Sequence, residues 1–246
     1  GRQQAMTIKL LGFLSANAKR GAFRAEGNTL FIYDVIVSND LDAEWFGGVS
    51  PKAFVDALSA LSGDVALRIN CPGGDVFAAV AIAQAMREYP GAITVHVDGY
   101  AASAASVIAV AGDKVVMAPG SFMMIHKAWT IAGGNSDDFL GTADLLDKVD
   151  GSIAEAYAAK AGGDAARFAP MMTAETWFTA AEAVAAGLAD EVAPDKPKAL
   201  GAWDLSAFAS APKVEPEQAS PPPSEPADNS AHRRRLHAVR MLAPTA

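Results

Sequence analysis

The sequence predicts an α/β fold built from strand–helix–strand units, and three of its features support this class. Of its 246 residues, 51% are apolar, which is enough to fill a sizeable core. Short β-rich runs alternate along the chain with helical patterns, as in parallel strands joined by right-handed crossovers. The apolar spacing also changes, from helical in Val76, Val80, Ala83 and Met86 to alternating in Ile93, Val95 and Val97.

The individual elements follow from these patterns in chain order. In the first half we predict a strand, a helix, a strand, a helix and a strand, at residues 31–37, 51–61, 65–70, 76–89 and 93–97. In the second half we predict a helix at 103–111, strands at 114–117 and 122–125, and a long helix at 137–160. A last short helix begins near Thr179 and ends at Gly187, because glycine readily adopts the left-handed conformation that closes helices.

Composition divides the chain into three segments. Residues 1–25 form an N-terminal segment, and its first five residues, ahead of Met6, have the look of a cloning remnant. Residues 26–205 form the predicted α/β domain. Six of the 14 prolines fall between Pro212 and Pro226, so we predict that residues 206–246 are a disordered Pro-rich tail with a basic C-terminal end.

Charge and cysteine usage exclude several classes of protein. A net charge of −8 disfavours nucleic-acid binding, which needs a basic surface. The single cysteine and four scattered histidines form neither a disulfide framework nor a metal-ligand pattern, so we expect no metal and no cofactor. Because no run of about 18 apolar residues is present, we expect a cytoplasmic protein that has no membrane contact.

A glycine-containing loop joins a predicted strand to a predicted helix at Asn70-Cys71-Pro72-Gly73-Gly74-Asp75. Consecutive glycines let backbone N–H groups face an oxyanion or a phosphate. The phosphate interpretation is weak, because the loop matches neither a P-loop nor a dinucleotide-binding pattern. A plain tight turn is the alternative. For Cys71 a packing role is favoured over a thiol nucleophile.

A serine stands at the next strand-to-helix junction, Gly99-Tyr100-Ala101-Ala102-Ser103-Ala104. A serine at the first turn of a helix lies where free N–H groups and the helix dipole favour developing negative charge, as a nucleophile requires. The alternative is an N-cap serine without chemistry.

A serine nucleophile needs a base, and His126 ends an apolar strand from which its ring can enter a cleft. A satisfied core histidine is the alternative. His96 lies mid-strand, and His232 and His237 lie in the tail, so none of these is a credible base. Glu175 is the candidate for the orienting acid; a glutamate in this position, taken alone, is more often a solvated carboxylate.

Taken together, these motifs resemble the Clp protease proteolytic-subunit family, and most closely its phage branch of head maturation proteases. The resemblance spans residues 32–192 and rests on the loop at 69–75, the serine segment at 99–103, Met124-Ile125-His126, and the two segments at 175–183 and 187–190. It implies a crotonase-like spiral of ββα units. It also implies Ser103 as nucleophile, His126 as general base, and the N–H groups of Gly74 and Ala104 as the oxyanion hole.

Two positions depart from the family pattern. Cys71 replaces the usual serine, a change that leaves the backbone donors intact. Glu175 stands where housekeeping members have aspartate, so it is the least secure member of the Ser-His-acid triad. No counterpart is evident for the N-terminal segment that engages an unfoldase ATPase, and no such partner is predicted.

The resulting hypothesis is a serine endopeptidase of the Clp type that forms a homo-oligomeric ring, which the family's architecture implies is stacked. The resemblance implies cleavage of scaffold or capsid proteins during phage prohead maturation, in the bacterial host cytoplasm. The alternatives are an acyl-CoA enzyme of the crotonase superfamily and a structural assembly protein with a vestigial site. We expect the tail to be dispensable for catalysis.

Overall fold

The computed structural model describes residues 12, 13, 16, 17, 20–194 and 203–212. The chain forms one compact unit through Ala211, and a second unit begins at Pro212. The packed chain therefore extends past the boundary expected at residue 205, because Phe208 is buried and Ala211 packs beside it. At the other end, the first strand begins at Ala22, ahead of the expected start at residue 26. Residues 213–246 of the predicted tail lie outside the described residues.

The sheet of the described chain is mainly parallel, which confirms the predicted α/β class. Its strands are β1 (Ala22–Glu26), β2 (Thr29–Tyr33), β3 (Val65–Cys71), β4 (Ile93–Ala102), β5 (Lys114–Met117), β6 (Phe122–Ile125), β7 (Thr176–Thr179) and β8 (Glu191–Val192). Its order is β1-β2-β3-β4-β5-β8, with β6 on β4 and β7 on β6. The β1 strand is antiparallel to β2, and β7 is antiparallel to β6; all the other pairs are parallel.

Helices connect these strands. They are α1 (Asp40–Phe46), α2 (Pro51–Ser59), α3 (Val76–Glu88), α4 (Ala104–Ala109), α5 (Ser136–Ala161), α6 (Phe168–Thr173) and α7 (Ala180–Ala186), with a 3₁₀ turn at Ala165–Arg167. Asp75 caps α3 by accepting a hydrogen bond from the Ala78 N–H, and Gly187 ends α7 in the left-handed conformation. None of the helices in the described ranges has the length and apolar character needed to cross a bilayer.

The β4 strand divides the sheet into two branches. Its first half, around Val95, pairs with β5, whereas its last residues, Tyr100 to Ala102, pair with β6. Because β3, β4 and β6 lie side by side at this end, the loops that follow them lie close together. Ligand sites in parallel sheets form at this carboxyl edge.

The chain after β2 does not continue as the predicted strand to residue 37. Buried Asp34 accepts hydrogen bonds from the N–H groups of Val35 and Gly48, which turns the backbone out of the ladder. Ile36 then bonds to the loop after β3 and Val37 to Val49. The pattern of apolar residues predicted burial here correctly, but the hydrogen-bond partners are loops and not a strand.

Candidate active site

Ser103 lies between the end of β4 and the start of α4, and its backbone is strained. Its φ of 54° and ψ of −125° place a non-glycine residue in a sparsely populated region, at a cost of about 1–3 kcal/mol. Its N–H donates to the Met124 carbonyl of β6 at 3.0 Å. The side chain makes no capping bond to the helix, so the alternative of an N-cap serine does not describe its contacts.

A chain of buried hydrogen bonds from Tyr157 and Ser106 ends at the Ser103 carbonyl. This carbonyl accepts from the Ser106 N–H at 2.9 Å and from the Ser106 hydroxyl at 2.6 Å. The Ser106 hydroxyl is in turn 2.7 Å from the hydroxyl of Tyr157, on α5. Since Ser106 donates to the carbonyl, Tyr157 is the donor to Ser106. Sequence reasoning did not find this chain, because Tyr157 was only one apolar position in a helical series.

His126 is the first residue after β6, and its imidazole contacts the side chain of Ser103 directly. Its Nε2 lies 2.6 Å from the Ser103 Oγ. Burial lowers the pKa of His126, while the negative charges of Glu175 and then Asp150 act to raise it. The ring is therefore neutral near pH 7. In that state Nε2 accepts the serine proton if the ring proton is on Nδ1.

The glycine pair after β3 forms the opposite wall. Ile36 bonds to the carbonyl of Gly73 and to the N–H of Asp75, so the N–H of Gly74 between them points away from that segment. A Cβ at Gly74 would lie 2.0 Å from the Ile36 carbonyl oxygen, and one at Gly73 would lie 2.8 Å from the Ser103 Cβ. Only glycine lets this loop approach both neighbours.

The first N–H of α4, that of Ala104, has no acceptor within its helix. Gly74 and Ala104 line the same cleft as Ser103 and His126. The cleft has a volume of about 350 Å³; α5 contributes Leu145, Leu146, Val149, Ile153 and Tyr157 to it. The arrangement places the Ser103 hydroxyl, the His126 imidazole and the backbone of Gly74 and Ala104 around one apolar cavity.

Cys71 lies behind this wall. It is fully buried, and its Sγ exchanges hydrogen bonds with the backbone of Gly73. Burial raises the pKa of the thiol, so it stays protonated and unreactive. These contacts are those of a packing residue.

Glu175 lies close to His126 but does not bond to it. Its backbone also has a positive φ, 50°. The carboxylate accepts from the N–H groups of Ala209 at 3.0 Å and Ser210 at 2.6 Å, and from the Trp177 indole at 3.3 Å. Among the described residues, no carboxylate accepts a hydrogen bond from His126.

Asp150 is the second carboxylate that acts on His126, and sequence reasoning missed it. It extends from α5 and accepts from the Ala128 N–H at 2.7 Å and from Lys127 Nζ at 3.3 Å. Its side chain is only 12% exposed. Its position is seen only when α5 is folded against the loop after β6.

The comparison with known proteins decides the family. The Clp protease family model matches residues 49–196, which include all four parts of the cleft described above and Glu175. The chain belongs to the Clp protease family. The ATP-dependent Clp protease proteolytic subunit of Ligilactobacillus salivarius is 30% identical over 167 residues, which are 67% of this chain and 84% of that protein.

Other relatives of this family match over a shorter range. Proteolytic subunit 3 of Rhodococcus jostii is 33% identical over 131 residues, covering 52% of this chain and 65% of the relative. The proteolytic subunit of Chlorella vulgaris is 30% identical over 129 residues, covering 52% of this chain and 64% of the relative. This chain thus spans less than two thirds of the length of these two relatives. Residues 203–212 lie beyond the family match.

Proposed function

We propose that this member of the Clp protease family is a serine endopeptidase. The observation that carries the proposal is the 2.6 Å contact between the Ser103 Oγ and the His126 Nε2 beside an apolar cleft. Ser103 attacks a peptide carbonyl while His126 takes the hydroxyl proton, and a tetrahedral intermediate forms. His126 then returns the proton to the leaving amine, and water releases the acyl group by the reverse steps.

The N–H groups of Gly74 and Ala104 are proposed to stabilise the oxyanion of that intermediate. Such preorganised donors are worth about 2.7–4 kcal/mol each in other serine proteases. Glu175 is proposed as the acid of the triad, because its negative charge raises the pKa of His126 more than that of Asp150 does. No cofactor takes part in these steps.

A fluorophosphonate probe tests the proposal, because it phosphonylates a serine only when an adjacent base activates the hydroxyl. We expect the intact mass to increase by one adduct in the natural sequence and not in Ser103→Ala. Ser62→Ala, an exposed serine far from the cleft, is the matched control and should be labelled normally. Labelling that persists in Ser103→Ala would contradict the assignment. An unlabelled natural sequence would favour an acyl-CoA enzyme or a vestigial site.

For the substrate, we propose scaffold or capsid proteins of a phage prohead, cleaved in the cytoplasm of the bacterial host. The support for this is the resemblance of the motifs to the phage branch of the family. Co-expression of phage scaffold and capsid proteins with either the natural sequence or Ser103→Ala tests it. We expect defined fragments only with the natural sequence, and identical masses in both samples would contradict the proposal.

A further inference from the structure

The described C-terminal part of the first unit, residues 203–211, returns to the catalytic cleft from beyond the family match. Two contacts anchor its start. The Trp203 indole donates at 3.1 Å to the side chain of Asn70, the first residue of the glycine loop. The backbone of Asp204 exchanges hydrogen bonds with the side chain of buried Asn17, at 2.8 and 2.9 Å.

Phe208 of this segment packs edge-on against the imidazole of His126. The ring centroids are 5.6 Å apart and the planes meet at 85°. The same ring contacts Trp177 at 5.9 Å and Phe13 at 5.7 Å, and only 8% of Phe208 is exposed. A buried ring held on three sides fixes its neighbour, because interior side chains at close packing cannot rotate freely. In this state His126 Nε2 faces Ser103.

The two residues after Phe208 hold the acid. Their N–H groups donate to both oxygens of Glu175, Ala209 to Oε2 and Ser210 to Oε1. With the Trp177 indole, they occupy three of the roughly four acceptor sites of the carboxylate and fix its position. Phe208 forms part of the wall of the cleft, whereas Ala209 and Ser210 are not among the residues that line it.

We propose that residues 208–210 are a positioning element of the catalytic site, which orients the imidazole of His126 and keeps the charge of Glu175 beside it. This inference rests on the proposed serine endopeptidase. Phe208 acts through His126, and Ala209 and Ser210 act through Glu175. Part of the site therefore comes from a segment that the family match does not include.

Proline at position 210 tests the inference in the full chain, because proline has no N–H to donate. We expect Ser210→Pro to slow acylation by a fluorophosphonate by about 10- to 100-fold, the scale of a small misplacement of catalytic groups. We also expect the pH midpoint of acylation to fall, because a less fixed Glu175 raises the pKa of His126 less. Ala211→Pro, whose N–H makes no bond to Glu175, is the matched control and should keep the natural rate and midpoint.

A double variant separates positioning from a merely structural role. If Ser210 acts through the carboxylate, Ser210→Pro should have little further effect on the rate in a Glu175→Gln background. A full loss in that background, or an unchanged pH midpoint in Ser210→Pro, would overturn the inference. If Ser210→Pro fails to fold, as judged by the end-point fraction labelled, Ala209→Pro removes the other N–H and is measured in the same way. Absence of labelling in the natural sequence would instead refute the proposed function.

Discussion

At the scale of single residues, two opposing influences act on the pKa of His126. Burial lowers the pKa of His126, and two carboxylates act in the opposite direction. In the proposed mechanism the base must be neutral at the working pH, which burial favours, and the carboxylates would stabilise the imidazolium that forms during reaction. Both influences are needed, because each alone serves only one of the two protonation states.

The pH dependence of acylation follows from these signs. If His126 is the base, as proposed, its neutral form is the active one, so the rate should rise with pH to a plateau, with a midpoint below the ordinary histidine value of about 6.5. Glu175→Gln removes a charge that raises the pKa, so its midpoint should lie lower still and its plateau rate should fall. Asp150→Asn should shift the midpoint less than Glu175→Gln does. A larger shift from Asp150→Asn, measured as kcat/KM against pH, would move the acid of the triad to Asp150.

A second prediction at this scale concerns the chain from Tyr157 through Ser106 to the Ser103 carbonyl. Tyr157→Phe removes one donor and should lower the free energy of unfolding by about 1 kcal/mol. Ser106→Ala should cost more, about 1–3 kcal/mol, because it leaves the buried Tyr157 hydroxyl without an acceptor. Urea denaturation of both variants and of their combination measures this. Equal stability of Ser106→Ala and the natural sequence would show that the chain contributes nothing.

At the scale of elements, the branching of β4 determines which loops meet. The strand pairs with β5 through its first half and with β6 through its end, so the loop after β3, the junction before α4 and the end of β6 share one edge. The glycine loop fits there because Gly74 has no Cβ to meet Ile36. The site is thus a property of strand order and of one close approach between loops.

The variant Gly74→Ala tests the close approach between the glycine loop and Ile36, and Gly63→Ala is its matched control. Gly63 also has a positive φ, 73°, but a Cβ there would have no neighbour within 4 Å. Gly63→Ala should therefore cost only the backbone strain, about 1 kcal/mol. Gly74→Ala adds a clash with the Ile36 backbone, so it should be less stable in denaturant and should lose labelling at Ser103. Equal behaviour of the two variants would show that the loop can move aside.

At the scale of the whole molecule, the first half of α5 carries exposed apolar side chains. The helix exposes 65% of Leu140 and 39% of Phe139, whereas its second half buries Ile153 and Tyr157 in the core. Exposed apolar side chains on one helix mark a surface for another protein. Such a helix fits the homo-oligomer proposed from the family resemblance.

Light scattering tests assembly directly. We expect a mass several times the 25.4 kDa of one chain, and Phe139→Asp with Leu140→Asp should reduce it by placing charge in the interface. Val55→Asp, an exposed apolar position on α2, is the control and should not change the mass. A natural sequence that is monomeric and hydrolyses peptide would contradict the proposal.

The sequence alone determined the α/β class, the glycine loop, and Ser103 and His126 as a pair worth testing. These inferences depend on local signals: apolar periodicity, consecutive glycines, and a serine or histidine at the end of a strand. The strand predicted at residues 31–37 was wrong at its end. The observed strand β2 stops at Tyr33, because the hydrogen bonds of Ile36 and Val37 go to distant loops.

Only the tertiary structure decided what surrounds that pair. Asp150 and Tyr157 reach the site from α5, and Phe208 with its two following N–H groups reaches it from the segment that composition had assigned to a tail. Their roles depend on hydrogen bonds and ring contacts between residues far apart in the chain. No local pattern in a single sequence encodes such pairings, so the partners of Glu175 became visible only in the folded chain.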